Sequence, residues 1–252
     1  GPEAYGLFAL ALMVTGWITV FAVFGLSDGL LRYISIFRGK KQYDKINYLF
    51  RKSFFLLFFT GLAGGVLMFV FSSFIANNIF HNPDLTIFLQ IFSVTIPLDV
   101  ILVLFLATLR AYEKIGWRIF ISSILITSLH VLFILLFIAA GLRAVSIPLS
   151  YVGGLFVAFL AAILILKKQI PGIFKKYKSK NVGVFRTLLA YSWPLIFAEI
   201  IWKIFKWTDS FFIGYFKTAT EVGFYNAAIP IALLLAFSSD MFMQMFAPFF
   251  NK

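Results

Sequence analysis

Apolar residues run along this chain in long blocks broken by short clusters of charge. That is the patterning of helices that cross a bilayer, not of helices with one wet face. Seven blocks, at 4–26, 54–76, 87–109, 119–140, 148–166, 187–213 and 223–246, reach the ~20 residues needed to span ~30 Å of hydrocarbon. No period-two alternation with aromatic girdles accompanies them, which argues against a transmembrane β-barrel. The pattern predicts an all-α polytopic membrane protein, a helical bundle.

Composition agrees. Of 252 residues, 62% are hydrophobic and 13% charged, and Phe alone contributes 34; a soluble domain carries about a quarter charged residues. The absence of Cys excludes disulfides, thiolate metal sites and a cysteine nucleophile. A net charge of +12 could indicate nucleic acid, but in so apolar a chain it points to basic cytoplasmic loops and no nucleic-acid partner.

The loops divide sharply by charge. Segments 27–53, 110–118 and 167–186 together hold seventeen Lys and Arg, whereas the alternate connections near 77–86, 141–147 and 217–222 hold only Arg143 and Lys217. By the positive-inside rule the first three are cytoplasmic and residue 1 lies on the outer side. The stretch 167–186, KKQIPGIFKKYKSKNVGVFR, reads as a basic linker between two lobes, 1–166 with about five helices and 187–252 with about two. Basic residues there are attracted to anionic membrane lipids. An internal echo pairs EAYGLFALA at 3–11 with EVGFYNAA at 221–228, each opening a helix that ends near a Ser-Asp pair, Ser27-Asp28 and Ser239-Asp240. Repeats of this kind build two-lobed transporters. The start at Gly1 and the abrupt end after APFFNK read as a chain cut from a longer protein at both ends.

One span is filled with charge. FAEIIWKIFKWTDSFFIGYF at 197–216 carries Glu199, Lys203, Lys206 and Asp209 beside Trp202 and Trp207, with Trp193 and Pro194 before them. Three such residues near mid-helix cost roughly 9 kcal/mol on insertion scales, against about 6 returned by the twelve Leu, Ile and Phe of 187–213. At about 100° per residue, Lys203, Lys206 and Asp209 fall about 40°, −20° and −80° from Glu199. The four form one stripe, which must face water or the bundle interior. Glu199 with Lys203 and Lys206 with Asp209 have the spacing of intrahelical ion pairs. A stripe neutralised in this way would be structural. The competing reading is a cationic surface at mid-membrane, on which Lys203 and Lys206 engage an anionic headgroup such as a phosphate.

Asp99, two residues after Pro97, and His130 lie near the centres of their spans. Asp99 could bind a cation or proton (Na⁺ or H⁺) or bond a neighbouring helix, and His130 reads as a satisfied core histidine before it reads as a proton relay. Asp28 and Arg32 have the spacing of an ion pair at the end of the first span, and Gly61, Gly64 and Gly65 mark close helix packing. There is no G-x-x-x-x-G-K-[ST], no H-E-x-x-H and no Ser/His/Asp trio at membrane depth, so nothing points to an enzyme, a resident cofactor or a metal.

The order GPEAYGLFALA, GLSDGLLRYISIFRGKKQYDK, PLDVILVLFLATLRAYEK and YSWPLIFAEIIWKIFKWTDSFFIGYFKTATEVGFYNAA resembles the polysaccharide biosynthesis, or oligosaccharide flippase, family. That family shares a superfamily with multidrug exporters and lipid II flippases. The resemblance implies helices two to eight of a two-lobed transporter around a central cavity. Its cargo would be a polyprenyl-(pyro)phosphate-linked oligosaccharide, carried from the cytoplasmic to the outer leaflet by alternating access, with glycan assembly machinery as a partner. It further implies that Glu199, Lys203, Lys206, Asp209 and Trp202 line the cavity and that Arg32 sits at the inner gate. A cation-coupled multidrug exporter is the alternative, and a membrane glycan polymerase or ligase a third.

Overall fold

The computed structural model describes the backbone of residues 1–142, 145–174 and 182–250, and the side chains of 1–142, 145–174 and 183–234. The described residues are helical, with no strand among them, as the apolar blocks require. In chain order the helices are α1 (Pro2–Val23), α2 (Leu26–Gly39), α3 (Tyr43–Phe74), α4 (Leu85–Ser93), α5 (Thr95–Ala111), α6 (Ile115–Ile119), α7 (Ile126–Ala139), α8 (Ser146–Gln169), α9 (Val182–Ser192), α10 (Leu195–Phe216) and α11 (Ala219–Phe250). Wide π turns at Ile75–Ile79 and Phe120–Leu125 extend α3 and join α6 to α7.

Among the described residues five helices are long and apolar enough to cross a membrane, or six if the bent α4–α5 pair is one span. This is a multi-pass membrane protein. Six of the seven apolar blocks map onto these spans. The seventh falls on α11, whose described side chains end at Leu234. The linker residues 175–181 and the side chains of Ser239 and Asp240 lie outside the described residues.

α1 is the hub. In its most apolar window 61% of residues are buried, against 6% in the α6–α7 span at the edge. It packs against α3, α4, α5, α8, α10 and α11. Its contact with α11 brings the two echoed sequences together. A Cβ on Gly6 would lie 1.7 Å from the Ala219 carbonyl oxygen, and one on Gly223 would lie 2.0 Å from the Pro2 carbonyl oxygen. Two backbones touch there because both glycines lack side chains.

The bend between α4 and α5, 44°, has a cause in Pro97. Without an N–H, Pro97 cannot bond the carbonyl of Ser93 one turn back. α3 packs into the gap, where a Cβ on Gly61 would lie 3.0 Å from Pro97 Cα and one on Gly65 2.8 Å from the Ser93 carbonyl oxygen. The glycine cluster therefore serves packing, as its spacing implied.

The first basic segment is not the open connection expected over 27–53. Left-handed Phe24 and Gly25 turn the chain, and α2 follows as an amphipathic helix that buries Leu26, Gly29, Leu30 and Ile34 and leaves Arg32 outside. Its apolar residues recur every three or four positions, a signal masked by the surrounding charge. Arg38 Nη1 donates to the Ala111 carbonyl at 2.8 Å, capping the negative end of α5, and Arg38 pairs with Glu113 at 2.5 Å. The expected Asp28–Arg32 pair does not form. Asp28 turns to Arg110 at 3.5 Å, and the Arg32 guanidinium lies 4.4 Å above the Tyr191 ring of α9.

Gly65→Val should cost about 1–3 kcal/mol through overpacking against a fixed carbonyl. The measurement is thermal unfolding of the purified protein in detergent. Gly39→Ala is the matched control, because a Cβ there meets nothing within 4 Å, and its midpoint should not fall.

Candidate functional site: the charged face of α10

α9 and α10 together form one span-length unit, Gly183–Phe216. The break between them falls at Trp193-Pro194, between the end of α9 at Ser192 and the start of α10 at Leu195. Proline withholds one backbone donor and is well placed just before a helix begins. A Cβ on Gly29 would meet Ser192 Oγ at 2.1 Å, so α2 holds α9 closely. Beyond the break α10 runs on uninterrupted and carries the four charges on one side.

The two intrahelical ion pairs allowed by their spacing are not made. Among the described residues the ion pairs are Arg38–Glu113 and Arg110–Asp28, both outside α10. Glu199 is exposed and only senses Lys203 through space. Asp209 instead accepts a hydrogen bond from the Tyr225 hydroxyl of α11 at 2.5 Å. Next to it Ser210 and Asn226 bond each other, Nδ2 to Oγ at 2.9 Å. These polar contacts tie α10 to α11 and take Asp209 away from Lys206.

Both lysines are thus left without a carboxylate in contact. Lys203 is half-buried and reaches across to α1, where a Cβ on Gly16 would lie 2.8 Å from its Nζ and 4.0 Å from Trp207 Nε1. Lys206 is exposed, its Nζ 5.2 Å over the Trp207 ring. The Trp207 indole N–H is buried and has no acceptor among the described residues. Two cations and an unused N–H therefore share one small region and supply only donors. Trp202 lies on the same stripe, about −60° from Glu199 and so between Lys206 and Asp209, and is 76% exposed.

Asp99 stands across from this cluster on α5. It lies within electrostatic reach of Lys203 and of the Tyr151 hydroxyl on α8, and it hydrogen-bonds Thr95. Tyr151 stacks on Phe92 with centroids 5.2 Å apart and meets His130 edge-on at 5.6 Å. His130 also stacks on Phe8 at 5.4 Å and reaches the Ile147 carbonyl, while its Nε2 is buried with no partner among the described residues. The structure therefore links Asp99 and His130 through Tyr151. Sequence reasoning missed Tyr151 and Gly16, since neither carries a charge in an apolar run, and a through-space neighbour leaves no mark on local spacing. Arg32 sits apart from both groups, on Tyr191. Among the described residues no three His, Cys, Asp or Glu gather as a metal site would require.

The described residues thus form an all-helical, multi-pass membrane bundle with a lysine-bearing wall. Comparison with known proteins gives the family: a sequence model described as polysaccharide biosynthesis protein matches residues 1–251, and the chain belongs to that family. A protein of Shigella flexneri named "Putative O-antigen transporter" is 26% identical over 248 residues, which cover 93% of this chain and 56% of that protein. The chain thus spans about half the length of this curated relative. No solved structure matches it significantly.

With no native Cys, introduced thiols read cleanly. Glu199→Cys and Lys206→Cys should react with a membrane-impermeant methanethiosulfonate in vesicles, as a watered face requires, and Phe205→Cys should react at least about tenfold more slowly. The expected ratio follows from the scarcity of water beside hydrocarbon. Reaction at Glu199→Cys and Lys206→Cys as slow as at Phe205→Cys would place the charges outside any aqueous space.

Proposed function

We propose that the intact protein carries a polyprenyl-(pyro)phosphate-linked oligosaccharide from the cytoplasmic to the outer leaflet for assembly of a cell-surface polysaccharide. One observation carries this reading. Lys203 and Lys206 lie inside a membrane span without a contacting carboxylate, beside an indole N–H that has no acceptor. An uncompensated cation in a bilayer is costly, so one that is kept there marks a functional site, and ammonium groups and an N–H donor together suit a phosphate ester. Family membership and the relative's printed name support the same direction.

In this reading residues 1–166 form one lobe, 167–186 the linker and 187–252 the opening of a second lobe. The basic segments face the cytoplasm. Transport by alternating access would part the two lobes at α1 and α11, whose close glycine contact lies at the end away from the basic segments. Asp99, with Tyr151 and His130 behind it, would exchange H⁺ or Na⁺ while it competes with the headgroup for Lys203, a role supported by its electrostatic reach to that lysine. Arg32 on Tyr191 lies where α2 meets α9, at the cytoplasmic mouth. The protein would make and break no covalent bond.

A second reading, export of an organic cation, draws on Asp99 and on the ring cluster that starts at its neighbour Tyr151 and continues through Phe92 to Phe8. One assay separates the two: leaflet-resolved movement of a labelled lipid-linked oligosaccharide by the full-length protein in vesicles. Lys203→Ala with Lys206→Ala should reduce flipping by about 100-fold, roughly a charged hydrogen bond lost at each position, at unchanged protein level. Full flipping in the double variant would overturn the proposal, and efflux of a cationic dye without lipid movement would favour the exporter.

A further inference from the structure

A groove of about 310 Å³ lies at the basic end of the bundle, between α3 and the segment that follows α8. Phe50, Arg51, Phe54 and Phe55 of α3 form one wall, and Ile173 and Phe174 form the other. No residue of α10 lines it, so it is separate from the lysine wall. The walls are held in register by Asn47, whose Nδ2 donates to the Gly172 carbonyl at 3.0 Å, and by the Phe174 ring, edge-on to Phe50 at 5.5 Å. Gly172 makes the turn behind them at φ 100°, a conformation that favours glycine. Phe55 and Phe174 stay half exposed, so the groove opens outward from the bundle. Its depth in the membrane follows from α3. The span Tyr43–Ile79 has 37 residues, about 55 Å of helix against ~30 Å of hydrocarbon. Its first turns, with Lys45, Arg51 and Lys52, therefore stand at the level of the lipid headgroups, and the apolar block begins at Phe54.

We propose that this groove docks a resident anionic glycerophospholipid of the adjacent leaflet, its phosphate on Arg51 and the upper part of one acyl chain among Phe54, Phe55 and Phe174. Charge complementarity carries the head. The ion pairs among the described residues use Arg38 and Arg110, so Arg51 touches no carboxylate, and its guanidinium lies 5.8 Å from the centroid of the Phe55 ring. A guanidinium fork matches a phosphate, and Lys52 follows in the chain. A zwitterionic lipid would bring its own ammonium to this basic site. Depth carries the tail. On α3, Arg51 lies about 60° from Phe54 and about 40° from Phe55, and both rings stand about 5 Å nearer the hydrocarbon. Cation above and phenylalanines below is the order of a lipid at rest in its leaflet, so the occupant is a resident of the bilayer and not a molecule in transit. The volume is at the low end of the ~300–1,000 Å³ of ligand pockets, enough for part of one chain. A lipid seated there touches both walls, and so braces the start of the basic stretch 167–186 against α3.

The experiment uses the full-length protein in detergent micelles and phosphatidylglycerol carrying a diazirine high on one acyl chain. The label should enter residues 50–55 and 170–174. Unlabelled phosphatidylglycerol should displace it at about one-fifth the concentration needed of phosphatidylcholine, the weight of one basic residue near an anionic head. Arg51→Gln should remove that preference, whereas Lys114→Gln, exposed at the same end of the bundle, should keep it. Phe174→Ala should lower labelling of residues 50–55 while the preference for the anionic competitor persists. Arg51 and Phe174 are both exposed, so neither change removes core packing. Lys203→Ala with Lys206→Ala should leave the labelling as it is, which keeps this site independent of the headgroup reading above. Label in other segments, equal displacement by the two phospholipids, or an Arg51→Gln protein that retains the preference would each overturn the proposal. Displacement by farnesyl phosphate but not by phosphatidylglycerol would also overturn it, by giving the groove to an isoprenoid.

Discussion

A lysine in hydrocarbon without a partner is among the most costly residues a membrane helix can carry, and the architecture around α10 is organised by that cost. Burial in an ion pair on the same helix would be the simplest remedy, and the spacing of Glu199 with Lys203 and of Lys206 with Asp209 permits it. The fold declines it. Tyr225 of α11 takes Asp209, Glu199 stays exposed, and Lys203 extends over Gly16 of α1. Buried ion pairs seldom repay their desolvation, but separated charges repay it less still, so the arrangement is best understood as leaving positive potential available to something else. Asp99 modulates that potential from α5 without closing on the lysine.

The rest of the bundle holds this wall at a fixed depth and angle. Glycines let α3 enter the break at Pro97, and they let α1 touch α11 backbone to backbone. α2 clamps the basic ends by capping α5 through Arg38 and by meeting α9 at Gly29 and Arg32. Each break in a span coincides with a residue whose chemistry explains it: Pro97 between α4 and α5, Pro194 between α9 and α10, and left-handed Phe24-Gly25 between α1 and α2.

Much of this was legible in the sequence, for physical reasons that differ between elements. Membrane spans announce themselves because hydrocarbon tolerates few alternatives to apolar helix, so six blocks appear where expected. The charged stripe was legible too, since helical periodicity fixes which residues share a face. The choice of partner was not. Whether Asp209 meets Lys206 or Tyr225, and whether Asp28 meets Arg32 or Arg110, depends on the neighbouring helix, and spacing within one helix carries no information about it. α2 escaped notice for a related reason: its four buried residues are few, and the bases around them read as an open loop. Tyr151, which joins Asp99 to His130, was invisible because tyrosine is unremarkable in an apolar helix until an acid lies across from it.

The central claim is that Lys203 and Lys206 present uncompensated positive charge to a pyrophosphate within the membrane. Calorimetric titration of the detergent-solubilised full-length protein with isopentenyl pyrophosphate, whose short tail isolates the headgroup contribution, tests it most directly. The account predicts saturable binding that weakens with added salt and disappears in the Lys203→Ala, Lys206→Ala protein while Phe197→Ala, on the opposite side of α10, retains it. Identical binding by the wild-type and doubly substituted proteins would contradict it.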